Sequence, residues 1–186
     1  SQKSQNNGNS WSNGTFTGLN QPRMQDKEWA YVDPRTNYMS VTWTEFDRYA
    51  STTAGDSTRI FFSISKDGAQ TWQTPVQVSA MQGDCLDEDN TVEGAMSVIN
   101  DRGEAFVVWA YNDSLYLNKS EDTGRTWLPR EIAIAAQPGG WDYNIEGILR
   151  CNGLRVTCID RSNSTHSGNI YVNWTDKRNG SNDADV

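Results

Sequence analysis

The sequence predicts an all-β chain built from repeated four-stranded, up-and-down units, and three recurring phrases predict it. The first has the form S-x-D-x-G-x-T-W and begins at Ser4, Ser65 and Ser120, closing on Trp11, Trp72 and Trp127. The second is a β-rich run ending in tryptophan, at 39–43, 105–109 and 170–174. The third opens with glutamate, at Glu28, Glu93 and Glu146, and continues as a strand.

The turn phrase explains itself chemically. Asn6, Asp67 and Asp122 can accept bonds from nearby backbone amides, while glycine supplies the positive φ that other residues resist. The third copy is the cleanest. In the second the glycine stands one place earlier, and the first has Asn for Asp and Ser for Thr. Since this chemistry is used up locally, these residues staple a hairpin and do no catalysis.

In order along a unit come a Glu-led first strand, a Trp-ended second, a third leading into the turn, and a fourth leaving it. Expected strands are 28–32, 39–43 and 59–65, then 71–78 and 94–98, then 105–109, 115–119, 132–135 and 170–174. The alternating Ile/Ala run after Arg130 reads as a strand too, because no helical period persists for three turns.

The turn phrase resembles the Asp box, or bacterial neuraminidase repeat, of sialidase-like β-propellers. The resemblance implies four-stranded blades around a central channel: 1–19 as the end of a preceding blade, 26–78 and 90–134 as complete blades, and 144–186 as a partial one. Two full and two partial blades do not close a ring, so the chain is read as a segment whose partners are the remaining blades. The family also implies a glycan-directed protein, hydrolysing glycosides as sialidases do or binding them without chemistry. A fold alone does not choose between these.

In such a blade the starts of the first strands and the loops after the second strands share one face, and the Asp boxes lie on the other. Glu28, Glu93 and Glu146 are therefore expected to converge on an acidic mouth, with Asp47 and Asp176 on the same face. Neighbouring carboxylates suit general acid and base work on a glycoside, or a cation such as calcium; their structural alternative is to hold adjacent backbone amides. Trp141 and Tyr143 offer flat faces to a sugar, and Arg150 and Arg178 are the arginines that can approach the mouth. The three arginines and Tyr-Glu pair of sialidases have no matching positions here, so no catalytic set is carried over. Asp183 and Asp185 are candidate calcium ligands, with no cofactor required.

Composition narrows the partners. With 24 acidic and 16 basic residues the net charge is −8, which repels a nucleic-acid backbone. No apolar run is long enough to span a membrane, and the acidic, aromatic-rich character fits a secreted or cell-surface protein. Of three cysteines, Cys151 and Cys158 flank an Asn-Gly turn that could bring them into disulfide range, leaving Cys85 alone. His166, the one histidine, falls in a polar loop and reads as solvated.

Overall fold

A computed structural model describes residues 1–180 and 184. The first sheet runs in the order β1 (Met24–Val32), β2 (Met39–Phe46), β3 (Thr58–Ser65) and β4 (Val76–Gln77). The second repeats it with β5 (Glu93–Ile99), β6 (Ala105–Tyr111), β7 (Ser114–Ser120) and β8 (Ile132–Ala136). A short pair, β9 (Asp142–Tyr143) and β10 (Cys151–Asn152), precedes a last pair, β11 (Val156–Ile159) and β12 (Ile170–Asn173). Every pairing is antiparallel, and among the described residues there is no helix. Among the described residues no helix is long and apolar enough to cross a membrane.

The two four-stranded sheets stack face to face, and period-two alternation decides what lies between them. In β3, Ile60, Phe62 and Ile64 point one way; they meet Val92, Ala95 and Ile99 near or on β5 and Ala105, Val107 and Trp109 on β6. Each of these is at most 1% exposed, and burying one such large side chain contributes about 1.5–3 kcal/mol. Thr42 and Thr44 on β2 donate across the interface to the carbonyls of Ala95 and Val92, so hydrogen bonds as well as apolar contacts join the two sheets. β5 lies against β1, and β11 against β5, which sets three first strands side by side.

The three turn phrases share one wiring. Ser120 Oγ donates to Asp122 Oδ1 at 2.8 Å, and Asp122 accepts from the amides of Arg125 and Thr126 at 3.0 and 2.8 Å. Asp67 does the same for Gln70 and Thr71, and Asn6 for Ser10. Two consecutive left-handed residues form each turn: Asn7 and Gly8, Gly68 and Ala69, Thr123 and Gly124. That explains the displaced glycine of the second copy, which occupies the first of two left-handed positions instead of the second. Two of the closing tryptophans reach the neighbouring unit, with Trp127 edge-on to Phe62 at 5.2 Å and Trp72 Nε1 donating to Thr15 Oγ1 at 3.2 Å.

Three expectations change. The third unit's first strand is β11, not the run after Glu146, because only 156–159 pairs with the Trp-ended strand β12. The Cys151–Cys158 bridge does not form, and all three cysteines are free. Asn152-Gly153 makes no hairpin, since Cys151 pairs back to Tyr143 while Cys158 pairs onward to Tyr171. The fourth strand of the first unit shrinks from the expected 71–78 to Val76–Gln77.

Candidate functional site

The site begins with a register shift. On β1, Asp26 pairs with Thr44 but Trp29 with Thr42; on β5, Glu93 pairs with Ala110 but Met96 with Val108. Each strand thus carries a bulge, and its first residue, Lys27 or Gly94, has a positive φ of 52° or 69°. Asp26 is therefore the counterpart of Glu93, and Glu28 is displaced by two positions. The bulge turns Asp26 and Lys27 toward the second unit while Glu28 stays exposed.

The loop before β5 supplies the third carboxylate. Thr91, wholly buried, accepts from the amides of Asp87 and Glu88 and donates to Asp84 Oδ1 at 2.9 Å. This closes a tight turn in which Asp87 takes a left-handed conformation. Asp26, Asp87 and Glu93 each contribute an oxygen within 4.8 Å of the other two. Lys27 Nζ stands among them, 3.0 Å from Glu93 Oε2, 3.4 Å from Asp87 Oδ1 and 3.5 Å from Asp26 Oδ2. Arg150 Nη2 and the Tyr49 hydroxyl both donate to Asp87 Oδ2, at 2.6 and 2.7 Å.

Depth differs across the cluster. The Asp26 side chain is 42% exposed, Asp87 8% and Glu93 not at all. Burial pushes the Glu93 carboxyl up to about 7, against the opposing charge of Lys27. Burial also works to lower Lys27, but Glu93, Asp87 and Asp26 outweigh it and raise its pKa. Behind Glu93, the buried Arg155 donates from Nη1 and Nη2 to the Glu93 carbonyl at 2.8 and 2.6 Å. Burial without a carboxylate in contact lowers its pKa.

Among the residues singled out from the sequence, Glu93 and Arg150 join the cluster. Glu28 lines a separate groove with Trp29, Trp43 and Trp72, and Glu146 is exposed between β9 and β10, so the three glutamates do not converge. Asp47 is occupied by Arg59, which donates to both its oxygens at 3.0 and 2.7 Å. Asp176 is buried and bound by Trp174 Nε1 and Arg178. Trp141 and Tyr143, at 2% and 5% exposure, present no face to a ligand. Trp141 instead packs on Ala110 and Leu115, with its Nε1 donating to the Thr91 carbonyl. Asp183 and Asp185 lie outside the described residues.

Sequence reasoning placed Asp26, Lys27 and Asp87 at the entries of first strands without choosing them as site residues, and passed over Tyr49 and Arg155. Spacing alone did not give the correspondence: Asp26 precedes Trp43 by 17 residues and Glu93 precedes Trp109 by 16, so only the strand register, Asp26 with Thr44 and Glu93 with Ala110, aligns them. No protein-family model matches the chain, and no curated protein matches it.

Proposed function

We propose that the chain is a segment of a sialidase-like β-propeller acting on glycans outside the cell, with its substrate at the mouth formed by Asp26, Asp87, Tyr49 and Arg150. Support for the propeller comes from the repeated four-stranded sheets, their adjacent first strands, and three turns wired as Asp boxes. The observation that carries the glycan reading is the approach of Asp26 and Asp87, both reachable from solvent, within 4.8 Å.

Glycoside hydrolysis needs one carboxyl to protonate the leaving oxygen and a second group to stabilise or attack the anomeric carbon. A spacing of this kind is too short for the roughly 6.5–9.5 Å of an inverting pair and nearer the ~5 Å of a retaining one. Arg150 and Tyr49 orient Asp87 through two hydrogen bonds to its Oδ2. Glu93 sits beneath, too buried to touch a sugar, and acts on Asp26 and Asp87 through Lys27.

The test is turnover of a panel of neutral and carboxylated fluorogenic aryl glycosides. Asp87→Asn and Asp26→Asn should each reduce kcat at least ~100-fold with folding intact. If no glycoside is turned over, the hydrolase reading fails. A second reading, a non-catalytic glycan-binding module, is favoured by one observation: Lys27 and Arg150 already neutralise the mouth carboxylates. It predicts retention on a glycan array without hydrolysis.

A further inference from the structure

We propose that Asp26, Asp87 and Glu93 form a divalent-cation site, suited to calcium, which the Lys27 ammonium occupies in the cation's place. Three oxygens within 4.8 Å of one another surround a shared centre. In an equilateral triangle of that side the centre is about 2.8 Å from each corner, a few tenths of an ångström beyond the 2.3–2.6 Å of a calcium–oxygen bond.

Proximity of acids would carry little by itself, and Glu93 adds the deciding observation. Its side chain is wholly buried and aimed into the cluster, yet neither carboxylate oxygen accepts a hydrogen bond. Oε2 has only the ion pair with Lys27 at 3.0 Å, and Oε1 has no partner at all. A buried carboxylate normally collects two or more donors, because unmet acceptors are costly once removed from water. Backbone amides and Arg155 surround this glutamate's main chain, but the carboxylate has been left with open coordination positions that a hard cation fills.

Lys27 behaves as a replaceable stand-in. Its backbone takes a left-handed φ of 52° where the matching position in the second unit is Gly94, a strained choice for a residue with a Cβ. The strain places the ammonium 3.0–3.5 Å from all three carboxylates. Its side chain is 18% exposed, and its four-carbon stem can swing into solvent, taking one positive charge out as two come in. The chemistry favours calcium over magnesium, since three carboxylates from two units make a loose cage and the exposed Asp26 side leaves room for waters. The inference is independent of the glycan reading, because cation uptake is measured without a substrate.

Calorimetric titration with calcium chloride tests it, alongside terbium luminescence excited through Trp141, whose ring centroid is 5.8 Å from Lys27 Nζ. One calcium should bind with Kd of about 10⁻⁴–10⁻³ M, as in extracellular modules. Lys27→Met, which removes the competing charge, should tighten binding about tenfold. Asp87→Asn and Asp26→Asn should each weaken it about tenfold or more and abolish sensitised emission, while Asp101→Asn should leave both unchanged. Absence of binding at millimolar calcium in both the native protein and Lys27→Met overturns the proposal. So does a Lys27→Met protein that binds no more tightly than the native one, or an Asp87→Asn protein that binds equally well.

Discussion

Replacing Gly94 with alanine should cost about 3–5 kcal/mol, a sum assembled from two effects. Gly94 has φ of 69°, so any side chain there pays about 1–2 kcal/mol for the left-handed backbone. An added Cβ would also stand 2.0 Å from Arg155 Nη2 and 2.8 Å from Leu154 Cδ2. The guanidinium cannot withdraw cheaply: it is 1% exposed and donates twice to the Glu93 carbonyl. Breaking charge-assisted bonds to a buried group adds about 2–3 kcal/mol. Gly147 is the internal control, with a similar φ of 81° and nothing within 4 Å of a built Cβ. Gly147→Ala should therefore show the backbone cost alone, about 1–2 kcal/mol. Urea unfolding of both variants, compared at equal m-values, isolates the close approach between β5 and the residue leading into β11. If the two alanines cost the same to within about 0.5 kcal/mol, the clamp attributed to Arg155 does not exist.

Three further outcomes follow from the same structure. Asp122→Ala removes an acceptor shared by two backbone amides and two hydroxyls, and should lower stability by about 1–2 kcal/mol in urea melts, as loss of a helix cap does. The Arg59 guanidinium holds Asp47 down to about 2 from an ordinary 3.8. Because the folded-state value is depressed, its stabilisation is complete above the unfolded value and is lost as pH falls from about 4 to about 2. Asp47→Asn should thus be destabilised at neutral pH and converge with the native protein near pH 2; a constant gap across that window would contradict the assignment. With all cysteines free, alkylation after denaturation should add three labels without reductant. In the native protein the exposed Cys158 should react first, and Cys85 last, because burial both shields its thiol and raises its pKa.

Local chemistry made much of the chain legible. Eight of the nine strands expected from the sequence are present nearly in place, because alternation of apolar residues is written within a few positions. The S-x-D-x-G-x-T-W turns were equally readable, since each acceptor bonds to amides at most four residues away. The third unit was harder to place. A Glu-Gly pair followed by two aliphatics reads as a strand at 146–149, yet those residues are exposed and β11 forms instead, where pairing with β12 is available. A nearby Asn-Gly suggested a hairpin and a disulfide, but pairing back to Tyr143 for Cys151 and onward to Tyr171 for Cys158 drew the two cysteines into different sheets.

By itself the sequence determined the all-β class, the four-strand unit, its staples, and the presence of acidic residues at the starts of the first strands. Tertiary structure alone decided which of those acids meet. Two bulges shift the register so that Asp26, not Glu28, faces Glu93, and a loop from the second unit brings Asp87 beside them. Stacking of the sheets then buries Trp141 and Glu93 and leaves Asp26 in solvent, which turns an expected sugar platform into core and an expected surface acid into a buried one. The physical reason is range. A turn is closed by hydrogen bonds between near neighbours, whereas a cluster of charges drawn from different units depends on register and packing summed over every strand between them.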